Sequence, residues 1–409
     1  MNLEGRLIVC LASSWDYDPT SKHHIMRILS HGNDVLWVNY HGTRRPGISR
    51  TDFRRGWSAL RRAAAGLQRV GPTMHQFTPL VIPGASTTLT RKLHQKLLAR
   101  QIARAIHAVR RSPAQPVQVW SFAPDVPYLV GQFGEECFVY YCVDEYSLFE
   151  DFDAEAIRNS ENAMLDRADV VVTTSEALWE RKRVRRPDAE LVRHGVDYDH
   201  FARAWREPLG IPTDVQSLPR PIFGFFGLLH HWIDLELIES VAKSRPQYSF
   251  VLIGDARVDI SSLKEISNVY VLGRRSYNEL PAYCRAFDAG LLPFAQSAMT
   301  RHINPIKLLE YLAAGLPVVS TPLPEAERFS NDVTIAGDAD TFAYACDRLG
   351  KEGNPDRPRR ISAGISSQTW ETRVDELSAL VMGRVNRIPP QAARQPVNDE
   401  FSSAVPQPV

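Results

Sequence analysis

The stretch HINPIKLLEYLAAGLPVVS, residues 302–320, has the pattern of a helix followed by a buried strand. Asn304 is a residue type common at helix N-caps, Pro305 suits the first helical position, and Gly315 suits the position just past a helix end. The apolar stripe that this helix is predicted to bury consists of Ile306, Leu309 and Ala313. A helix entered from a loop and followed directly by an apolar strand is typical of a parallel α/β sheet.

Two charged residues stand on the helix of this stretch. Lys307 lies in its first turn, where free backbone amides and the helix dipole favour an anion, and the ammonium adds a point charge for a phosphate. Glu310 is three residues further on the same face and could accept hydrogen bonds from sugar hydroxyls. The alternative is a surface ion pair between the two side chains, worth a few tenths of a kcal/mol.

Outward from this stretch, short apolar runs alternate with helical patterns along most of the chain. This alternation predicts an α/β protein with two doubly wound, Rossmann-like parallel-sheet domains facing a cleft. The predicted strands are 7–12, 35–39, 117–121, 138–143 and 170–174 in the first half, and 222–226, 250–253, 269–272, 289–293 and 317–320 in the second. The predicted helices are 22–30, 89–109, 154–167, 235–242, 277–286 and 305–314.

The domain boundaries follow from breaks in this alternation. A proline-containing stretch without a clear period separates the halves, and the end of the chain is rich in proline and poor in large apolar residues. We therefore predict an N-terminal domain, a linker, a C-terminal domain, a final helix and a disordered tail. Their bounds are 1–198, 199–220, 221–365, 366–385 and 386–409.

Composition places the chain among soluble globular proteins. Of its 409 residues, 44% are hydrophobic and 23% charged, values that exclude collagen, coiled coil and wholesale disorder. No apolar run reaches the roughly 18 residues that span a bilayer, and the N-terminus does not read as a secretory signal. The five cysteines lie mostly in apolar runs without metal-ligand spacing, which predicts reduced core thiols in the cytoplasm.

Charge is balanced overall but concentrated in one segment. The chain carries a net charge of +1, yet residues 41–112 hold fifteen Lys and Arg against the single acid Asp52. Because apolar residues interleave with the arginines, the segment could hold the protein on an anionic membrane surface. A solvated helix face is the alternative. Nucleic acid is not expected, since no recognised binding motif accompanies the charge.

The stretch 302–320 resembles the donor-binding helix of GT-B glycosyltransferases of the family 4 type. In that family two acids stand eight residues apart and the second binds the ribose of the nucleotide sugar. Here the second acid matches Glu310, and the first position holds His302. The resemblance implies that the backbone near Asn304 and Ile306 caps the diphosphate. The similarity is strongest to bacterial cell-surface polysaccharide transferases, including the teichuronic-acid and xanthan glucuronosyltransferase types, whose helix also has a lysine at the position of Lys307.

Other segments are similar to the same family. ADVVVTTSEAL followed by VRHGVDYDHF resembles the end of its N-terminal domain, with His194 where asparagine often stands. YSFVLIGDARV and NVYVLGRRSYNELPAYCRAFDAGLLPF follow the usual order of its donor domain. The resemblance implies that the N-terminal domain binds the acceptor and that the C-terminal domain binds the nucleotide sugar, with donor contacts at Gly227 and Gly273. It also implies that the final helix, 366–385, crosses back to the first domain. Many relatives place Arg and Lys after the first glycine-bearing strand, whereas this chain has His230, His231 and Asp234.

Acid–base candidates lie on the first half of the chain. Asp144 ends the predicted strand FVYYCV, and a carboxylate at that end of a parallel strand faces the cleft. It could take the proton of an acceptor hydroxyl or hold a donor sugar hydroxyl, and the resemblance supports it; a helix cap or loop acid is the alternative. Glu145 is the neighbouring rival. Asp16 and Asp18 follow the first strand and are assigned, with His194, to the acceptor side.

No resident cofactor or metal is expected. The histidines match no zinc signature, and neither a nicotinamide fingerprint nor a nucleophile elbow nor a phosphate-binding P-loop is present in the sequence. GT-B enzymes in general need no metal, because helix amides and basic residues neutralise the leaving diphosphate. The resemblance implies a nucleotide sugar, in the first place a UDP-sugar, as co-substrate.

The sequence thus predicts a glycosyltransferase of the hexosyl type that builds a surface polysaccharide or glycolipid. It would act at the cytoplasmic face of the plasma membrane on a lipid-linked or glycan acceptor. Two alternatives stay open: a GT-B nucleotide-sugar 2-epimerase, and a catalytically inactive sugar-nucleotide-binding protein, which the histidine at position 302 favours.

Overall fold

A computed structural model describes residues 3–40, 65–80, 88–150, 152–351 and 356–387. Its strands form two sheets, one in each half of the chain. The first sheet contains β1 (Leu7–Ala12), β2 (Asp34–Asn39), β3 (Gln68–Arg69), β4 (Met74–Phe77), β5 (Val117–Ser121), β6 (Cys137–Cys142), β7 (Val170–Thr173) and β8 (Glu190–Leu191). The second contains β9 (Ile222–Phe226), β10 (Ser249–Ile253), β11 (Val269–Gly273), β12 (Ala289–Leu292), β13 (Val318–Ser320) and β14 (Val333–Ile335).

Helices connect these strands and cover both faces of each sheet. We number those of the described residues α1 (Ser21–Leu29), α2 (Thr88–Val109), α3 (Ala154–Arg167), α4 (Glu176–Arg183), α5 (Tyr198–Arg206), α6 (Leu235–Ser244), α7 (Ser261–Lys264), α8 (Leu280–Ala286), α9 (Ile306–Ala313), α10 (Pro324–Glu327), α11 (Ala339–Lys351), α12 (Arg357–Gly364) and α13 (Trp370–Val385). Short 3-10 helices lie at Pro127–Leu129, Tyr146–Leu148, Tyr277–Glu279 and Thr300–His302.

The first sheet has the order β3-β4-β2-β1-β5-β6-β7-β8, and all pairs are parallel except β3 with β4. Every residue of β1, β2, β5 and β6 is buried because helices cover both faces. Strands β3, β4, β8 and β14 were not predicted: the first three lack a continuous apolar run, and β14 has only three residues.

The second sheet has the order β11-β10-β9-β12-β13-β14 and is parallel throughout. The chain starts in the middle at β9, moves outward through β10 and β11, and then returns to place β12 on the other side of β9. The carboxyl ends of β9 and β12 are therefore a topological switch point, where open α/β sheets bind ligands.

The predicted linker, the final helix and the tail compare differently with the structure. The stretch taken as a linker contains α5, whose Phe201 and Ala204 are buried in the core of the second domain. Because several prolines follow α5, the sequence analysis assigned this short amphipathic helix to the linker. Helix α13 packs on the first domain, with Trp370 and Leu377 in the core beside β1 and β6. The predicted tail lies outside the described residues from 388 onward.

The two domains meet through loops that follow the carboxyl ends of strands. After β7, the Thr174 carbonyl accepts a hydrogen bond from Asn304 Nδ2 at 2.8 Å. After β1, Asp18 pairs with Arg274 at 2.7 Å. After β6, the ring of Phe149 contacts that of Trp232. Because all three contacts join strand ends, the carboxyl edges of both sheets line one cleft.

Two further expectations concern membrane spans and thiols. No helix among the described residues has the length and apolar character needed to cross a bilayer. The five cysteines are all free thiols and all buried.

Candidate functional site

Two glycines form the floor of the site at the ends of β9 and β10. Gly227 has φ +147° and Gly254 has φ +143°, a region that L side chains rarely adopt. A Cβ on Gly254 would stand 1.9 Å from the carbonyl oxygen of Gly227. Only glycine therefore lets these neighbouring loops approach each other at the switch point.

Lys307, the second residue of α9, lies over this floor. A Cβ placed on Gly227 would stand 2.1 Å from Lys307 Cε and 3.0 Å from its Nζ. Within the described chain the ammonium forms no ion pair, although it is half-buried. The positive charge and the first turn of α9 thus converge at the switch point, an arrangement suited to a phosphate group.

Glu310 lies one turn deeper on α9 and is only 8% exposed. No ion pair within 4.0 Å joins it to Lys307 in the described structure, so the surface-pair alternative is wrong. Burial raises the pKa of Glu310 to about 7, while Lys307 acts to lower it and Asp197 to raise it. A buried carboxylate without a protein hydrogen bond leaves its acceptor oxygens for a ligand's hydroxyl groups.

The start of α9 differs from its prediction. The N-cap is Pro305, not Asn304, and the first helical residue is Ile306, which is only partly buried and packs against the core of the first domain. Asn304 is drawn out of the cap because its amide donates to Thr174 across the domain boundary. At the other end, Gly315 has φ +78° directly after the C-cap, as predicted.

His302 does not point to the floor of the site. Its ring nitrogen Nδ1 lies 2.7 Å from the carbonyl oxygen of Ala298, and its own carbonyl accepts a hydrogen bond from Ser175 Oγ at 2.6 Å. His302 therefore ties the segment before α9 to the first domain. His194 does the same: its Nδ1 is 2.9 Å from the carbonyl of Asn304, and burial lowers its pKa to about 4.

Asp144 follows β6 on the first domain, at the edge that faces the cleft. The side chain is half-buried and has no hydrogen bond or ion pair among the described residues. Burial raises its pKa to about 6, and the ammonium of Lys22, in the first turn of α1, opposes that rise. A carboxyl that titrates close to neutral pH matches the requirement for a general base.

Glu145, the rival of Asp144, is committed to a buried network. Its carboxylate accepts from Lys182 Nζ at 2.7 Å and from Ser147 Oγ at 2.6 Å. Lys182 also binds Glu161 at 2.7 Å, and Tyr140 donates to Glu161 at 2.8 Å. These contacts lower the pKa of Glu145 against the effect of its burial, so this carboxylate has a structural role.

The two acids after β1 have different surroundings. Asp16 lines a cavity of about 240 Å³ together with Asn39, Gln76 and Thr78 from the ends of β2 and β4. A polar cavity at the carboxyl edge of the first sheet agrees with its assignment to the acceptor side. Asp18, also assigned to the acceptor side, forms an ion pair with Arg274 of the second domain.

The remaining donor-side residues border the same switch point. Gly273 ends β11 with φ +71° and directly precedes Arg274. Asp234 caps α6 by accepting from the Leu237 amide at 2.8 Å. The rings of His230 and Trp232 stack at 4.0 Å, so an aromatic surface occupies the place where relatives often carry basic residues.

Sequence reasoning missed Lys22 and the contacts between domains. Lys22 lies near Asp144 only because β1 and β6 belong to the same sheet, a proximity that no local pattern reports. Arg193 is similar: it binds Glu325 of α10 at 2.9 Å, across 132 residues of chain. Among the described residues, no group of three or more His, Cys, Asp and Glu side chains is placed to hold a metal ion.

Comparisons with known proteins found a matching family and a curated relative. Residues 220–352 match the family described as Glycosyl transferases group 1. TuaH of Bacillus subtilis (strain 168), named as a glycosyltransferase of teichuronic acid biosynthesis, is 26% identical over 257 residues. That alignment covers 58% of this chain and 64% of TuaH, so the chain aligns with under two thirds of that relative.

Solved structures match almost the whole chain. HepE from Anabaena, crystallised in complex with UDP, has a TM-score of 0.64 and 14% identity over 93% of this chain and 100% of its own. A trehalose-phosphate synthase (UDP-forming) from Burkholderia vietnamiensis has a TM-score of 0.63 and 14% identity, covering 93% and 99%. The fold class predicted from the sequence is confirmed. The chain has the GT-B fold, and its residues 220–352 form a domain of the group 1 glycosyltransferase family.

Proposed function

We propose that the protein is a nucleotide-sugar-dependent glycosyltransferase. The observation that carries the proposal is the ammonium of Lys307 lying over Gly227 at the switch point, with Glu310 one turn deeper and not paired to it. A cation at a helix start beside glycine-only loops suits a diphosphate, and a buried carboxylate next to it suits a ribose. The nucleotide half of the donor would occupy the second domain.

We further propose a UDP-sugar as the donor. The support comes from related folds: HepE has been crystallised with UDP and, separately, with UDP-glucose. The resemblance of the second domain to the group 1 family supports the same class of ligand. The proposal includes no resident cofactor or metal, since Lys307 and the amides of α9 supply positive charge for the leaving diphosphate.

The reaction uses Asp144 on the opposite side of the cleft. An acceptor hydroxyl oxygen forms a bond to the anomeric carbon while the bond from that carbon to the diphosphate oxygen breaks. Asp144 takes the proton of the hydroxyl, and the nucleoside diphosphate leaves with the electron pair. Asp16 and the polar cavity beside it would hold the acceptor.

For the acceptor we propose a lipid-linked or glycan molecule at the cytoplasmic face of the plasma membrane. The support is the exposed face of α2, a helix with no acidic residue. Leu89 and Leu93 are 79% and 59% exposed at its start, and Lys96, Arg100 and Arg104 continue the exposed face. Apolar residues beside a row of cations suit an anionic bilayer. The other part of the basic segment, 41–64, lies outside the described residues.

Titration calorimetry with UDP and a panel of nucleotide sugars tests the donor site. UDP should bind, and Lys307→Ala should weaken binding by roughly 1.5–3 kcal/mol, the range for a hydrogen bond to a charged group. Lys264→Ala, an exposed lysine of the same domain, is the matched control and should bind UDP as the wild type does. Equal affinity for UDP in both variants would contradict the proposed site.

Release of UDP separates transfer from the two alternatives. A transferase releases UDP faster when an acceptor is present. A 2-epimerase needs no acceptor and converts the nucleotide sugar into its 2-epimer, with UDP still attached, and an inactive binding protein does neither. Sedimentation with anionic and neutral vesicles tests the membrane: binding should require anionic lipid and fall as salt rises. If the protein does not sediment with anionic vesicles at low salt, the exposed face of α2 is a solvated surface and does not bind the membrane.

A further inference from the structure

The polar cavity beside Asp16 has a lining that selects one class of ligand. Its volume is about 240 Å³, many times the roughly 10–15 Å³ that one water molecule requires, so it has room for a small organic group. It lies at the carboxyl ends of the neighbouring strands β1, β2 and β4, on the edge that faces the cleft. The described residues that line it are Asp16, Asn39, Ala65, Gly66, Gln68, Gln76 and Thr78.

The loop that carries Asp16 is fixed to β2. The Trp15 amide donates to Asn39 Oδ1 at 2.9 Å, and Trp37 Nε1 donates to the Ser13 carbonyl at 3.0 Å. The rings of Trp15 and Trp37 meet edge to face, with their centroids 5.0 Å apart. Because the residues directly before Asp16 are held in this way, its carboxylate has a defined place in the wall of the cavity.

The rest of the wall consists of side chains that bind one another. Asn39 Nδ2 donates to Thr78 Oγ1 at 2.9 Å, and Gln76 Nε2 donates to Gln68 Oε1 at 2.8 Å. These bonds orient the amide and hydroxyl groups before any ligand arrives. Side chains that are already ordered lower the entropy that binding costs.

The groups that remain for a ligand are mostly hydrogen-bond acceptors. Gln76 Oε1 is buried and accepts no hydrogen bond in the described structure. The Asp16 carboxylate has no ion pair among the described residues and accepts only from Ser14 Oγ, at the long distance of 3.4 Å. Thr78 Oγ1 accepts from Asn39 and keeps its own proton to donate. A sugar ring suits this set, because each of its hydroxyl groups both donates and accepts.

The charge of the lining decides which sugars fit. No Lys, Arg or His is among the described residues that line the cavity, and Asp16 supplies their single charge. Protein sites for phosphate and carboxylate groups typically use Arg or Lys as charged donors. An anionic sugar would instead meet the Asp16 carboxylate without a counter-charge, and the two like charges would repel each other.

We propose that this cavity is a subsite for a sugar ring without negative charge, and that Asp16 both binds its hydroxyl groups and rejects uronic acids and sugar phosphates. That the ring belongs to the acceptor rests on the proposed function, whereas the selection against negative charge rests on the cavity alone. In a lipid-linked acceptor, the phosphate of the lipid would therefore lie outside the cavity.

Saturation-transfer difference NMR on the full chain, without any nucleotide, tests the subsite. The probes are the methyl glycosides of glucose, galactose and mannose and the three matching methyl uronides. Within each pair, the exocyclic hydroxymethyl group is replaced by a carboxylate and the ring is otherwise the same. At least one neutral glycoside should bind, at least about fivefold more tightly than its uronide, which is the weight of two like charges about 4 Å apart in water.

Three variants make the outcome specific. Asp16→Asn removes the charge and keeps the size of the side chain, so the preference for the neutral glycoside should fall to under about twofold. Asp166→Asn, which removes an exposed acid of the same domain, is the matched control and should keep the wild-type preference. Ala65→Phe places a ring at the cavity and should abolish binding, which locates the site.

Each of four results would overturn the proposal. They are no binding of any neutral glycoside, equal binding of glycosides and uronides by the wild type, a preference that survives Asp16→Asn, and binding that is unchanged in Ala65→Phe. None of these measurements depends on the donor. If UDP does not bind, the proposed function fails, yet the glycoside preference still reports on the cavity. If an acceptor stimulates UDP release while neutral and anionic glycosides bind alike, the proposed function stands and the selection by Asp16 is wrong.

Discussion

Lys307 Cε lies 2.1 Å from the position that a Cβ on Gly227 would take, so the lysine stem fills the space that the missing side chain leaves. The two residues are 80 positions apart and belong to different loops of the switch point. This pairing explains why the loop after β9 can lack the basic residues of many relatives: the cation reaches the end of β9 from α9.

Gly227→Ala should therefore disturb the donor site directly. The new methyl group would displace the Lys307 stem, and the φ of +147° would add about 1–3 kcal/mol of backbone strain. We expect the Kd for UDP to rise at least about tenfold, measured by calorimetry. Gly337→Ala is the control, because a Cβ there meets nothing within 4 Å. An unchanged Kd in Gly227→Ala would mean that Lys307 is not used for UDP.

Glu310→Gln should stabilise the free protein at high pH. Since burial raises the folded-state pKa from 4.5 to about 7, the fold binds the proton more tightly than the unfolded chain does. The resulting stability is fully present below pH 4.5 and is lost as pH rises through 7, a change of up to about 3 kcal/mol. In Glu310→Gln the free energy of unfolding, measured in urea, should not show this fall between pH 5 and pH 8.

The control for Glu310 is Glu265→Gln, an exposed carboxylate of the same domain, which should follow the wild type. UDP binding should weaken in Glu310→Gln but not in the control. Equal pH dependence of unfolding in wild type and Glu310→Gln would show that this carboxyl titrates normally and is not desolvated.

The sequence predicted the features that local patterns encode. The fully buried strands β1, β5 and β9 were predicted with the bounds that the structure has, because helices on both faces leave few polar residues in them. Lys307 and Glu310 could be chosen because helical spacing places them on one face. Contacts with distant segments of the chain could not be predicted from local patterns. Asn304 forms a hydrogen bond with Thr174 instead of capping α9, and Asp18 forms an ion pair with Arg274.

Asp144→Asn should lose about a hundredfold or more in turnover, the usual weight of general base catalysis. In the wild type, turnover should fall as pH drops through about 6, because the base must be ionised. Donor affinity by calorimetry should change little, since UDP would occupy the opposite domain. A large loss of donor affinity with turnover kept at saturating donor would make Asp144 a sugar-binding residue instead.

Lys182→Met should strongly destabilise the first domain. The ammonium bridges Glu145 and Glu161, both buried. Its loss leaves Glu161 without a counter-charge among the described residues, whereas Glu145 keeps Arg181 at 2.8 Å. Removing one partner of a buried ion pair typically costs about 3–5 kcal/mol. Arg185→Met, which breaks an exposed pair with Asp166, should cost under about 1 kcal/mol in the same urea unfolding. Similar losses in both variants would contradict the buried network.

The last prediction concerns the pair that joins the domains, Asp18 and Arg274. Two of their N–O distances are 2.7 and 3.2 Å, yet both side chains are 56% exposed, so the pair should add at most about 1 kcal/mol to stability. Its consequence should instead be geometric, because it connects the loop after β1 to the loop after β11 across the cleft. Arg274→Asp puts two carboxylates there, and their repulsion should open the cleft and raise the radius of gyration in X-ray scattering. The exchange Asp18→Arg with Arg274→Asp should restore the wild-type value, and 1 M salt should screen the repulsion in the single variant. A radius of gyration that stays the same in Arg274→Asp at low salt would show that other contacts, such as Asn304 with Thr174, hold the cleft closed by themselves.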